Sequence, residues 1–250
     1  MKIFILFFLT AVQLVSAATP KYSAVNGATA TTLSADNTYF RNPENTAYDY
    51  WALSPFYVPQ HNGYACSAAS VAMALNALLN AGRERGDEEE NISPQSLPDK
   101  VKGFDWKGLV SEKGSAKRHG VTLLQLAQAA REALESYSPG NWEVSITTAS
   151  TQTPQALQSF REALESNERV RKDIMLLHFA QDIITGAPGG PYAHTSPVGA
   201  YDKDKRRILI LDVDRQWYEP YWADDTQVLN AMAVSTKSFG HGGYIILKSK

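Results

Sequence analysis

Residues 60–78 run Gln60-His61-Asn62-Gly63-Tyr64-Ala65-Cys66-Ser67-Ala68-Ala69-Ser70-Val71-Ala72-Met73-Ala74-Leu75-Asn76-Ala77-Leu78. From Ser67 onward the segment consists of small and apolar residues that favour helix, and they cover almost the whole circumference of that helix. The pattern therefore predicts a buried central helix over residues 67–80. Cys66 stands at its N-terminal end.

The rest of the chain divides into a helical part and a sheet part. Apolar residues at helical spacing predict helices over residues 121–134 and 154–164, and alternation predicts a strand over residues 142–147. Short apolar runs flanked by turn residues predict further strands at 173–179, 207–213 and 243–248. Helices that come first and strands that follow indicate an α+β domain, with a helical half packed on an antiparallel sheet half.

The single cysteine of the 250-residue chain is the first candidate for chemistry. Unpaired N–H groups at a helix N-terminus favour negative charge, so a thiol there is biased towards the reactive thiolate. Position alone does not decide the matter, because cysteines at helix starts also occur as inert core residues. A nucleophilic cysteine needs a base and a group that orients the base.

His194 is the best candidate for the base among the five histidines. It lies in Gly189-Gly190-Pro191-Tyr192-Ala193-His194-Thr195-Ser196-Pro197, which we interpret as a loop that leads into a strand. His178, by contrast, falls inside an apolar strand pattern that is typical of a buried core histidine. His194 also follows Cys66 at roughly the separation that papain-like enzymes show between cysteine and histidine.

Two more residues complete the predicted site. Asp212 follows the apolar run Ile208-Leu209-Ile210-Leu211, and a carboxylate at the end of a buried strand needs a partner such as an imidazole N–H. Gln60 precedes Cys66 by a short polar gap, where its amide can donate to an oxyanion. The four residues then fill four roles: oxyanion donor, nucleophile, base and orienting carboxylate.

Three segments resemble the phytochelatin synthase family, in register and with matching intervals. Residues 60–78 resemble its nucleophile motif, in which a glutamine and a short gap precede a cysteine and an apolar Met-Leu-Asn-Ala-Leu helix. The segment from His194 to Tyr201 resembles the family's His-Phe-Ser-Pro-Ile-Gly-Gly-Tyr. Residues 209–222 resemble its Leu-Asp-Val-Ala-Arg and Tyr-Pro-Pro-Tyr-Trp stretches. The likeness covers about residues 45–250.

The resemblance implies a papain-like fold and glutathione gamma-glutamylcysteinyltransferase activity. In that reaction the enzyme attacks the Cys-Gly bond of glutathione, expels glycine and holds γ-glutamylcysteine as a thioester on Cys66. Another glutathione, giving phytochelatins, or water then accepts the acyl group. His194 would serve as general base and then acid, Asp212 would orient its imidazole, and Gln60 would stabilise the oxyanion together with the backbone N–H of Cys66.

The resemblance also implies substrate-binding residues. Arg215 matches a family arginine near the substrate, and its guanidinium suits a carboxylate such as that of the glutamyl group. Tyr201, in the histidine motif, is predicted to bind substrate as well. The chain departs from the family beside both catalytic residues, where Tyr, Gly, Gly and Phe are replaced by Ala65, Ser67, Ala193 and Thr195.

Metal ions are expected as part of the substrate. No grouping of cysteine, histidine and carboxylate has metal-ligand spacing, so we expect no protein-bound cofactor. Cadmium or zinc is instead expected to enter as a metal–glutathione thiolate. With its single cysteine the sequence shows no cysteine-rich extension like that of the plant enzymes, so we expect the chain to resemble the short bacterial members, in which hydrolysis can outweigh polymer formation. The sequence leaves the ratio of transfer to hydrolysis open.

The N-terminus has the pattern of a secretory signal peptide. Met1-Lys2 is a short positive start, residues 3–12 are nearly all apolar, and Val15-Ser16-Ala17 offers small residues for cleavage after Ala17. We therefore predict a signal peptide over 1–17, a flexible lead-in over 18–40 and a catalytic domain over 41–250. The protein is expected to be periplasmic, with no membrane contact after cleavage; the alternative is an uncleaved anchor.

The composition of the chain excludes one class of binding partner. Lys plus Arg (24) nearly balance Asp plus Glu (26), and a formal net charge of −2 argues against nucleic acid as the partner. We expect glutathione as the small-molecule substrate, and the sequence leaves a homodimer open. Two other functions also remain open. One is a papain-like peptidase of the bacteriocin-leader type, and the other is a non-catalytic exported protein that binds thiols or metals.

Overall fold

The computed structural model describes residues 29–80 and 90–250. The predicted signal peptide and residues 18–28 of the predicted lead-in lie outside this part of the chain. Within the described ranges, no helix combines the length and the apolarity that crossing a membrane requires.

The described residues form seven α-helices: α1 (Tyr48–Leu53), α2 (Cys66–Asn80), α3 (Trp106–Leu109), α4 (Leu123–Tyr137), α5 (Pro154–Arg169), α6 (Gln181–Thr185) and α7 (Asp225–Ala233). Short 3-10 helices occur at Thr38–Arg41, Ser54–Phe56 and Leu97–Lys100.

The main sheet has seven antiparallel strands in the order β1-β6-β5-β4-β3-β9-β2. Their bounds are β1 (Thr31–Thr32), β2 (Trp142–Thr148), β3 (Asp173–Ala180), β4 (Ala193–Asp202), β5 (Arg207–Ile210), β6 (Tyr221–Asp224) and β9 (Gly243–Ser249). A separate pair joins β7 (Ser235–Thr236) and β8 (Gly240–His241).

The central helix α2 is buried as predicted. Its residues from Cys66 to Ala77 are all buried, because apolar or small side chains occupy every face. The hydroxyl of Ser70 donates to the Thr195 carbonyl oxygen over 2.9 Å, which ties α2 to β4. This contact fixes the helix that begins with the cysteine against the strand that carries His194.

Helices cover both faces of the sheet. On one face, α2 and α4 pack against residues of β3 such as Ile174 and Leu176. On the other face, α5 and α7 pack against the alternate residues Met175 and Leu177. The predicted α+β, papain-like architecture is confirmed, and a second helical layer lies on the far side of the sheet.

Most of the predicted elements are present, with shifted ends. Helix α4 starts at a capping box in which Thr122 and Gln125 exchange hydrogen bonds, two residues after the predicted start. Strand β5 ends at Ile210, so Asp212 lies just beyond it rather than within a strand over 207–213. The interpretation of residues 189–197 as a loop that leads into a strand is confirmed: β4 begins at Ala193 and contains His194.

The predicted lead-in over 18–40 reaches too far. Thr31 and Thr32 pair with Trp222 and Tyr221 of β6 and so extend the sheet. Tyr39 is buried in the core. The ordered domain therefore includes residues 31–40, because pairing and burial fix a segment whose Thr- and Ser-rich composition resembles a linker.

Candidate active site

Cys66 is the first residue of α2 and is buried. The free N–H groups of a helix N-terminus favour negative charge at this position. Its side chain is among the groups that raise the pKa of the His194 imidazole, and both residues line one cavity. The first element of a thiol-based site, a nucleophile beside a base, is thus in place.

His194 connects the cysteine to a carboxylate. Its Nε2 atom lies 2.9 Å from Oδ1 of Asp212 and 3.0 Å from the hydroxyl of Ser196. Because Nε2 faces Asp212, Nδ1 is the ring nitrogen left to face Cys66. Phe179 packs edge-on against the imidazole, with ring centroids 5.7 Å apart, and restricts its orientation.

The environment of His194 favours its protonated form. Burial lowers the pKa of the imidazole, but the charge of Asp212, the hydrogen bond to Asp212 and the neighbouring Cys66 side chain outweigh burial and hold that pKa well above its usual value. A proton that leaves the Cys66 thiol therefore finds a strong acceptor in His194.

Asp212 is fully buried and held by several donors. Gln181 Nε2 and the Tyr221 hydroxyl donate to Oδ2 over 2.9 and 2.8 Å, and the Asp214 N–H donates to Oδ1 over 2.8 Å. Burial raises the pKa of this carboxyl, but His194 and these hydrogen bonds overcome burial and lower it. Asp212 is therefore an ionised, fixed partner for the imidazole.

Gln60 lies beside the nucleophile. Its backbone N–H donates to the Val213 carbonyl oxygen over 2.8 Å, which joins the segment before Cys66 to the segment after Asp212. Its side chain lines the same cavity as Cys66 and His194. The buried Oε1 atom has no hydrogen-bond partner, so the amide is not committed to another protein group through that atom.

A cavity of about 920 Å³ opens over the cysteine. This volume is in the range of sites for small ligands. Its wall includes the predicted Gln60, Cys66 and His194, together with Tyr64, Lys117, Arg118, His119, Gln181, Thr185, Tyr192, Asp214, Trp217, Tyr218 and Phe239. The wall thus combines aromatic rings with a small number of charged groups.

Comparison with known proteins agrees with this geometry. The sequence model of the phytochelatin synthase family matches residues 27–244. The chain belongs to the phytochelatin synthase family. The match begins before the predicted domain start at residue 41, in agreement with the ordered residues 31–40.

Two curated relatives show how far the similarity extends. A glutathione gamma-glutamylcysteinyltransferase of Schizosaccharomyces pombe is 31% identical over 218 residues, which cover 82% of this chain and 44% of that protein. A glutathione gamma-glutamylcysteinyltransferase 3 of Lotus japonicus is 38% identical over 55 residues, which cover 22% of this chain and 12% of that protein. The chain spans less than half the length of these relatives.

The structure does not bring two predicted substrate residues of this phytochelatin synthase family member to the cavity wall. Tyr201 is buried, and its hydroxyl donates to Oδ2 of Asp225 over 2.8 Å. It follows His194 by seven residues of β4, roughly 23 Å of strand, which is too far for a shared small substrate. Its placement at the substrate site is therefore corrected to a structural role.

Arg215 lies outside the cavity wall and is exposed. Its Nη1 atom donates to the carbonyl oxygen of Tyr218 over 3.0 Å, and its guanidinium lies 5.1 Å from the ring centroid of Tyr57. The Tyr57 hydroxyl in turn donates to the backbone oxygen of Asp212. Arg215 thus braces the segment that carries Asp212, and its direct contact with substrate stays a prediction.

Gln181 and Tyr221 were not predicted from the sequence, although both hold Asp212. A sequence signal existed for Gln181, because it is a polar residue at the end of the continuous apolar strand β3. Tyr221 carried no such signal, since a tyrosine in a strand fits an ordinary core position.

No group of three or more histidine, cysteine or carboxylate residues suited to a metal ion occurs in the described ranges. Buried His178 also takes no part in the site. Its Nε2 lies 2.9 Å from the Val121 carbonyl oxygen, and burial lowers its pKa to about 4.

Proposed function

We propose that this protein cleaves the Cys-Gly bond of glutathione through a thioester on Cys66 and passes γ-glutamylcysteine to glutathione or water. One observation carries the proposal: His194 is hydrogen-bonded to Asp212 and shares with Cys66 the wall of a cavity of about 920 Å³. Family membership supports the choice of substrate, as do the names of the two relatives.

The first half of the reaction forms the acyl-enzyme. His194 takes the proton of the Cys66 thiol, and the thiolate attacks the carbonyl carbon of the cysteinyl residue of glutathione. The oxygen of that carbonyl becomes an oxyanion, which accepts hydrogen bonds from the Gln60 amide and the Cys66 backbone N–H. The imidazolium then protonates the glycine nitrogen, the C–N bond breaks, and glycine leaves.

The second half of the reaction releases the product. His194, now neutral, takes a proton from the acceptor, which is water or the amino group of another glutathione. The acceptor attacks the thioester carbonyl, and the C–S bond breaks as the proton returns to sulfur. Asp212 stays ionised throughout and stabilises the imidazolium formed in each half.

The test is glycine release from glutathione by the protein lacking residues 1–17. We expect glycine from the wild type and none above background from Cys66→Ala. Ser145→Ala, which removes a hydroxyl at an exposed position of β2, is the control and should stay active. A wild type that cleaves glycine-rich peptides but not glutathione would instead favour the peptidase function.

We also propose that the protein is exported to the periplasm and acts there in heavy-metal detoxification. The signal-like residues 1–17 support export. Cadmium or zinc would take part as a metal–glutathione thiolate substrate, with hydrolysis outweighing polymer formation. Fractionation of the tagged full chain tests export, and product analysis with and without cadmium tests the metal role. Size-exclusion chromatography tests for the homodimer.

A further inference from the structure

One wall of the cavity is a tight turn over residues 115–118, here called the basic turn. Ser115 and Arg118 exchange backbone hydrogen bonds of 2.9 and 3.0 Å, which close the turn. Its central residues, Ala116 and Lys117, have φ values of 51° and 60°. Lys117 and Arg118 both line the cavity that contains Cys66.

The basic turn is strained. A left-handed conformation costs an L-residue about 1 kcal/mol or more, and turns with two such residues normally use asparagine and glycine. Here alanine and lysine adopt it. Strained backbone persists where the surrounding structure holds it and often marks a functional site. Its result here is that two adjacent cationic side chains are presented to the cavity.

Arg118 is held in place by neutral groups. Its Nη1 donates to the Ser238 carbonyl oxygen over 3.1 Å, its Nη2 donates to Oε1 of Gln125 over 2.7 Å, and the guanidinium lies 5.8 Å from the centroid of Phe239. Within residues 29–80 and 90–250, neither Arg118 nor Lys117 forms an ion pair. The cavity wall thus carries two cations without a fixed counter-charge, in a chain whose formal net charge is −2.

The basic turn is also fixed relative to the nucleophile. His119, the next residue, stacks on Tyr64 with ring centroids 3.8 Å apart. Tyr64 precedes Cys66 by two residues, at most about 7 Å of backbone. Because Cys66, Lys117 and Arg118 line one cavity of about 920 Å³, a substrate attacked by Cys66 occupies the same space as the two cations.

We propose that Lys117 and Arg118 bind a free carboxylate of the peptide substrate and so set specificity, an inference that rests on the proposed cleavage of glutathione. Glutathione has one carboxylate on glycine and one on the γ-glutamyl group. Either suits a guanidinium beside an ammonium, because charge-assisted hydrogen bonds to carboxylate are stronger than neutral ones. A neutral amide at the same position accepts only a weaker hydrogen bond from these cations, without the attraction between opposite charges.

The experiment compares three substrates: glutathione, its glycinamide analogue, and 4-aminobutanoyl-cysteinyl-glycine, which lacks the glutamyl carboxylate. Release of glycine or glycinamide gives kcat/KM for wild type, Lys117→Gln and Arg118→Gln. Lys113→Gln is the charge-matched control, since this exposed lysine lines a different surface pocket. Circular dichroism and thermal unfolding check the fold of each variant.

We expect Arg118→Gln to lower kcat/KM for glutathione about 10- to 100-fold, mainly through KM, and Lys117→Gln to lower it about 3- to 10-fold. On the analogue that lacks the recognised carboxylate, wild type and variants should react alike, and this identifies which carboxylate is bound. If Arg118→Gln does not fold, the kinetics of Lys117→Gln test the carboxylate role. The exposed Lys117 side chain supports no other contact among the described residues, so this variant is expected to fold.

An equal loss on all three substrates, or no loss on any, would overturn the carboxylate role while leaving the proposed function intact. A wild type that releases no glycine from glutathione would overturn the proposed function, and this inference with it.

Discussion

The imidazole of His194 and the carboxylate of Asp212 form a buried ion pair, with Nε2 2.9 Å from Oδ1. Burial opposes both charges, yet each partner favours the charged form of the other: the pKa of His194 is raised and that of Asp212 is lowered. Gln181 and Tyr221 satisfy the second carboxylate oxygen. Asp212 is therefore held in one orientation and one ionisation state before substrate arrives.

Asp212→Asn should preserve the shape of the site but remove its fixed negative charge. Without that charge the pKa of His194 falls, so the imidazole becomes a weaker acceptor for the Cys66 proton. We expect kcat for glycine release to drop at least about 100-fold with little change in KM. Asp204→Asn, at an exposed position, is the control, and similar losses in both variants would count against the orienting role.

Gln60→Glu replaces an amide donor with a group of the same size that carries no N–H. Because the proposed hydrogen bond forms only when the oxyanion develops, we expect kcat to fall about 10²- to 10³-fold while KM stays nearly constant. Steady-state kinetics on glutathione provide the measurement. Gln95→Glu is the control, since Gln95 is exposed at another pocket, and it should leave kcat and KM unchanged. A change confined to KM would show that Gln60 binds ground-state substrate instead.

The raised pKa of the Asp173 carboxyl makes the free energy of unfolding depend on pH. Burial raises the pKa of this carboxyl from 3.8 to about 6, although the charge of Lys248 opposes the rise, and its Oδ1 atom has no partner. A raised pKa means that the stability from the protonated form is fully present below about pH 4 and is lost as pH rises through 6.

Asp173→Asn mimics the protonated carboxyl at every pH. We therefore expect the variant to match wild type near pH 4 and to exceed its free energy of unfolding by about 1 kcal/mol above pH 7, a value reduced for solvent screening. Urea titrations across this range are the measurement, with exposed Glu44→Gln as control. The assignment would be contradicted if the difference in free energy of unfolding between variant and wild type became smaller, in place of larger, from pH 4 to pH 7.

Ala116→Gly tests the strain in the basic turn. Glycine adopts a φ of 51° without a Cβ penalty, so we expect the free energy of unfolding to rise by about 0.5–1 kcal/mol. Ala163→Gly, within α5, is the matched control and should lower it by about 1 kcal/mol. Thermal melts measure both, and destabilisation in both variants would mean that the turn is not strained.

The reacting residues of the site were easier to predict from sequence than the residues that hold Asp212 in place. Cys66 was predictable because the helix after it is apolar on all faces, and Asp212 because a carboxylate after a buried run needs a partner. Gln181 and Tyr221 were not, since their contacts with Asp212 depend on how β3 and β6 lie in the sheet. The polar residue that follows β3 could be noted from the sequence, but local sequence patterns do not identify the tertiary partner of either residue.

The interpretation of residues 189–197 as a loop that leads into a strand is confirmed, since His194 lies in β4 and pairs with Phe179 of β3. The expectation for Tyr201, by contrast, was wrong for a clear physical reason. Tyr201 was expected at the substrate because it shares a motif with His194. An extended strand separates residues that are close in sequence by a long distance, and a helix would have brought them nearer.

The covalent intermediate tests the central claim most directly. Wild-type protein is mixed with glutathione, quenched in acid within the first turnover, digested and measured by mass spectrometry. We expect a γ-glutamylcysteinyl group on the peptide that contains Cys66, formed in step with released glycine, and its loss in Cys66→Ala. Glycine release from wild type and Cys66→Ala at equal rates, with no adduct on that peptide, would contradict the account.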